Sequence, residues 1–207
     1  MLLPVGEAPR DEETQRLIAA GFFCVPHSDD YDRLIMDPRP LNYGEKCQKW
    51  MRLPLGGILC KIVISPRQSV RGSGWDLSTY VFQLREHESG LSRNTCRRQF
   101  SGEGYEAHGG RAGKQYVLAM RCIGMGDINA VDVAEETHLE ILNDHGALFR
   151  PGLLSWGAEL PQQNVLQGVY IDDGLVVGSV DIDDLRKEAD DNQLAESCIS
   201  ALEQENV

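Results

Sequence analysis

Asp172 and Asp173 are adjacent carboxylates between an apolar run (Val165, Leu166, Val169, Ile171) and a second one (Leu175, Val176, Val177, Val180). Asp173-Gly174 is a turn dipeptide, so the pattern predicts a β-hairpin with both acids at its tip. A strand tip is an exposed, rigid place to hold negative charge, and charge held that way suits a divalent metal. Two-metal phosphoryl transfer needs carboxylates that bridge a pair of Mg²⁺ ions about 3.5–4 Å apart. One ion lowers the pKa of an attacking hydroxyl, and the other stabilises the leaving oxygens. Carboxylates on two neighbouring strands can converge on such a pair. Asp76, expected near the start of a strand, completes a three-acid set with Asp172 and Asp173. Taken singly, each acid has a plainer reading: Asp and Gly favour surface turns, and a lone Asp often caps a strand end.

The rest of the chain must position those acids. Its 207 residues suffice for one large domain or two small ones, and at 42% hydrophobic they can build a core. No stretch approaches the apolar length of a membrane span, and the first residues are too soon acidic for a secretory signal. An intracellular place, cytoplasm or nucleus, is therefore expected. Six scattered cysteines without a Cys-x-x-Cys pair read as free thiols. The net charge of −12 argues against nucleic acid, but its distribution does not. From Arg33 to Arg121 there are 15 Lys/Arg against 7 Asp/Glu, a net of +8, while the remainder carries −20. A basic middle between acidic ends is compatible with a phosphate-binding channel.

Residues 1–20 read as a leader and a short helix over 11–20 that Asp11 caps and Gly21 stops. Residues 22–26 and 33–36 read as a hairpin around the polar turn 27–32, ended by Pro38 and Pro40. Strands are expected at 58–64, 75–84 and 116–120, and the Gly/Ser/Arg-rich stretch 86–114 reads mostly as loop. Apolar residues at i, i+3 and i+4 spacing predict a helix over 127–143, with His138 a packed core histidine. After the acidic hairpin, a last helix is expected over about 183–204. The order strand, helix, hairpin, helix makes an α+β antiparallel sheet with helices on one face.

Four blocks in this order resemble the reverse transcriptase domain of retroelements and related viruses, over roughly residues 20–205. They are Arg33-Leu34-Ile35-Met36-Asp37-Pro38-Arg39-Pro40-Leu41-Asn42, similar to a fingers motif; Asp76 to Leu84, similar to the first catalytic strand; Gly126 to Val131, similar to a glycine-led helix behind the incoming nucleotide; and Tyr170-Ile171-Asp172-Asp173. The resemblance implies a fingers-and-palm fold. Residues 21–71 would be fingers, 72–84 the palm's catalytic strand, 85–115 a fingers insertion, and 116–207 palm with its catalytic hairpin at 165–180. It implies RNA-directed DNA synthesis from dNTPs on a primed RNA or DNA template. Asp76, Asp172 and Asp173 would bind two Mg²⁺ ions, with Mn²⁺ as a substitute. Arg33 would reach the nucleotide triphosphate, since an Arg fork suits phosphate oxygens. Leu77, Tyr80, Val81 and Gly126 would line the nucleotide; Asp37, Arg39 and Asn42 would contact template or brace the fingers.

The sequence departs from the family in its acidic fingers turn, in Met125 before the helix glycine, and in Val81 where an aromatic is common. No thumb segment follows the acidic hairpin, which leads to the expectation of a truncated chain with little processive synthesis. Those departures motivate an alternative: a non-catalytic relic or nucleic-acid-binding scaffold that keeps the palm fold. An RNA-directed RNA polymerase or cyclase palm is a third reading, against which the fingers motif argues.

Overall fold

A computed structural model describes residues 1–26, 28–48 and 52–207. Its strands and helices, in chain order, are β1 (Leu2–Pro4), β2 (Gly21–Pro26), β3 (Asp32–Asp37), α1 (Arg39–Asn42), β4 (Gln68–Asp76) and α2 (Tyr80–Gln83). They continue with β5 (Thr95–Ser101), β6 (Gln115–Ala119), α3 (Ala130–Asp144), β7 (Val165–Tyr170), β8 (Asp173–Asp181) and α4 (Asp190–Gln204). The class is α+β with antiparallel sheets, and the chain divides into two compact units.

The first unit comprises Met1–Gln48 and Val81–Ala130. A three-stranded sheet of order β1-β6-β5 buries Leu3, Ala8, Val117 and Ala119, and Leu17 packs on that cluster. The β2–β3 hairpin is a separate two-stranded sheet whose Met36 packs with Ala20 and Leu41. Pro38 and Pro40 end β3 as expected, and the chain turns directly into α1.

The second unit comprises Lys49–Tyr80 and Val131–Val207. Its sheet has the order β4-β8-β7, in register from Gln68↔Asp181 to Asp76↔Asp173 and from Val165↔Gly178 to Tyr170↔Asp173. Leu154, Leu166 and Val177 pack with Ile58 in its core. Helix α4 lies against all three strands and buries Ala195, Cys198, Ala201 and Leu202; of the stripe that its spacing predicts, Leu194 is half-buried and Ile199 is exposed.

Several elements differ from the sequence reading. Residues 11–20 form no helix: Asp11 caps a single turn through Thr14 (N···Oδ1 2.7 Å), and Gln15 then takes φ +57°. That left-handed residue reverses the chain, so Arg10 pairs with Leu17 instead. The apolar stretch near 58–64 is a 3₁₀ segment, Gly56–Lys61; a short apolar run does not by itself distinguish strand from helical turn. Asp76 ends its strand instead of starting one, and Tyr80–Gln83 is helical. The Gly/Ser/Arg stretch contains β5, paired with β6. The last helix starts at Asp190, after a 3₁₀ turn at Ile182–Asp184. His27, which opens the expected polar turn, lies outside the described residues. None of the six cysteines is disulfide-bonded, and no helix among the described residues is long and apolar enough to cross a membrane.

Candidate functional site

β4 ends at Asp76, β8 begins at Asp173, and the two acids are direct cross-strand partners. Tyr170 also pairs with Asp173, so the hairpin turn is the two residues Ile171 and Asp172, not Asp173-Gly174 as the sequence suggested. The backbone N–H of Leu77, just past Asp76, donates to the Asp172 carbonyl at 3.0 Å. One end of the sheet thus carries all three acids, with Asp76 and Asp173 exposed and Asp172 half-buried. Partial burial, then the charges of Asp172 and Asp76, push the Asp173 pKa above the usual carboxylate value. Among the described residues, no Lys or Arg forms an ion pair with any of the three. Nor, among the described residues, are any three His, Cys, Asp or Glu side chains gathered tightly enough to hold a metal ion by themselves.

Gly174 has a packing role. A Cβ there would stand 1.9 Å from the Trp75 indole, so only glycine lets that ring lie across the strand. Ile171 is at φ +61°, an unusual conformation for a β-branched residue. Helix α3 supports it from both sides: its N–H donates to Glu135 Oε2 at 2.6 Å, and its carbonyl meets His138 Nδ1 at 2.9 Å. Trp75 Nε1–H donates to His138 Nε2 at 3.3 Å, which assigns the ring hydrogen to Nδ1. His138 is a packed core residue as expected, with a polar duty added, and burial lowers its pKa so that the neutral ring prevails. Burial pushes the Glu135 carboxyl up to about 7.

Leu77 and Tyr80 are buried; the Tyr80 hydroxyl donates to the Ala134 carbonyl at 3.0 Å, and burial raises its pKa. In the first unit, Asp37 and Arg39 pair with each other in a bidentate contact (Nε···Oδ1 2.7 Å, Nη2···Oδ2 2.5 Å). Asn42 donates to the Gly126 carbonyl at 2.9 Å and accepts from Ile128 N–H at 3.1 Å. Gly126 takes φ +91°, which is what demands glycine there. Arg33 is exposed on β3 opposite Val25, and Val81 is half-buried in this unit. The sequence reading missed Glu135. Its signal was available: a carboxylate three residues before His138 on the buried stripe of α3.

No protein-family model matches the sequence, and no curated protein matches it. Solved structures do. The foamy viral protease-reverse transcriptase in complex with double-stranded DNA aligns over 98% of this chain and 26% of its own length, with TM-score 0.52 and 18% identity. Two structures of the prototype foamy virus protease-reverse transcriptase align at TM-score 0.53 and 18% identity. They cover 91% and 98% of this chain and 19% and 20% of theirs. The chain therefore spans about a quarter or less of the length of these proteins. At this identity the likeness is one of fold: a stretch of a viral reverse transcriptase and this chain share it.

Proposed function

We propose that the second unit is the palm of an RNA-directed DNA polymerase, with Asp76, Asp172 and Asp173 as ligands of two Mg²⁺ ions. The observation that carries this reading is the register that sets Asp76 opposite Asp173, with Asp172 beside them and no cation paired to any of the three among the described residues. Three oxygen-donor acids without a compensating cation fit a hard divalent ion. Such ions would activate a primer 3′-hydroxyl and neutralise charge on a dNTP triphosphate. The second unit's own part is to hold the carboxylates on a rigid strand end. Template and primer, RNA or DNA, are the proposed partners. Mg²⁺-dependent primer extension by the wild-type chain, lost in D172N/D173N, is the expected result. Extension that persists in the double variant would refute the reading.

One observation favours a second reading, a nucleic-acid-binding scaffold without chemistry: the acids are not already gathered into a cation cage among the described residues. Salt-dependent binding of a primer-template duplex, with no nucleotide incorporated under any metal, would select it.

A further inference from the structure

We propose that Glu135 and His138 are positioning residues, which grip both backbone groups of Ile171 from α3 and so fix where the Asp172 and Asp173 carboxylates stand. The inference rests on the metal-site reading above and names what holds that site in place. A left-handed β-branched residue is strained and persists only where its surroundings over-determine it. At Ile171 the surroundings are specific. Glu135 takes the N–H at 2.6 Å and His138 meets the carbonyl at 2.9 Å, so neither group is left to a neighbouring strand or to solvent.

The same imidazole reaches the other strand of the site. Its Nε2 accepts from Trp75, the residue before Asp76, and Tyr80 packs edge-on against the ring at 6.0 Å. One buried histidine therefore touches the residue before the first acid and the residue before the second. Glu135 and His138 are 3% and 0% exposed, and a buried carboxylate and imidazole are costly unless bonded. An aliphatic pair would pack α3 at less cost, but it could not hold a strained turn by its peptide groups.

The test uses the 207-residue chain and Mn²⁺ as probe, with affinity read by electron paramagnetic resonance. In the wild type, binding that D172N/D173N abolishes establishes the metal reading. On that footing, E135A and H138Q should weaken the Kd by ~10–100-fold, the usual range for groups that orient metal ligands. E135Q keeps an acceptor for the Ile171 N–H, and H138N keeps a donor near the Nδ1 position. Both should return to within ~3-fold of wild type, a rescue that a general packing defect would not show. Wild-type affinity in E135A and H138Q overturns the proposal, as does failure of both conservative variants to rescue while circular dichroism shows them folded. A second readout is independent of metal: hydrogen-exchange protection of the Ile171 amide should be lost in E135A and kept in E135Q. If Mn²⁺ binds wild type and D172N/D173N alike, the metal reading fails, and unchanged protection in E135A separately sinks the positioning role.

Discussion

β4 and β8 form one antiparallel ladder whose two ends treat charge in opposite ways. Near one end, Arg71 grips Asp191 at the start of α4 through two contacts (Nη2···Oδ1 2.5 Å, Nε···Oδ2 2.7 Å) and also donates to the carbonyls of Leu185 and Lys187. Its cross-strand partner is Gly178, where a Cβ would stand 2.6 Å from the Asp191 carboxyl carbon. The Arg71 hydrogen bonds hold the Asp191 pKa below the usual carboxylate range. At the other end three acids share one tip of the sheet, and partial burial, then the charges of Asp172 and Asp76, raises the pKa of Asp173. The same ladder carries an arginine paired to a helix carboxylate toward one end and, among the described residues, a set of acids without a paired cation at the other. The first end fastens a helix to the sheet, while the second keeps negative charge ready for a ligand.

The contrast can be broken most severely at the fastened end. D191A strands Arg71 among carbonyls without its counter-ion, and the melting temperature should fall by on the order of 10 °C. The stabilisation from a depressed carboxylate pKa is present above the ordinary carboxylate value and lost as pH falls through the lowered one. The D191A deficit should therefore shrink in acid. A drop no larger than that of a typical surface substitution would erase the distinction between the two ends.

Glu135 offers a pH-resolved test behind the acid end. Its folded pKa of about 7 exceeds its unfolded value, so the fold binds its proton more tightly. No cost is present below the unfolded pKa; the cost grows as pH rises toward 7 and is complete above it. E135Q should be more stable than wild type by on the order of 3 kcal/mol at pH 8 and by nearly nothing at pH 4. Urea denaturation at both pH values decides, and an equal gain at the two would show that titration is not the source.

The smallest effect is expected at the acids themselves. D173N relieves repulsion among exposed groups and should raise the melting temperature by ~1–2 °C in metal-free buffer. Millimolar Mg²⁺ should then stabilise wild type more than the variant, reversing the order. If D173N destabilises in both buffers, Asp173 is a structural residue and the comparison loses its functional side.

What was legible in the sequence follows from where the chain repeats a pattern. The β2–β3 hairpin and the runs flanking the acid turn stand close to their expected places, and α3 buries Ala134, His138 and Leu142 of its expected stripe while Ile128 and Val131 are exposed. β4 carried no such signal. Its Gly72, Ser73 and Gly74 dilute alternation, and the strand is specified by pairing with β8 across about a hundred residues of sequence. Asp76 was therefore identified as an acid of interest but assigned to the wrong end of its strand. The turn was misplaced by one dipeptide because Gly174 looks like turn chemistry, while its small size in fact makes room for Trp75. Glu135 escapes a reading by hydrophobicity because it is polar, although its spacing from His138 puts it on the buried stripe; the Ile171 peptide is what its carboxylate binds there.

The interleaving of the two units along the polypeptide has a consequence for biosynthesis. The first unit needs its segment ending at Ala130, and the second needs residues up to Val207. The ribosome thus releases residues 49–80 long before their sheet partners exist. β4 must wait as an unpaired strand until β8 emerges. The delay exposes an edge that a nascent-chain holdase would be expected to cover, and Arg71 places a charge within it, a feature that discourages edge-to-edge association.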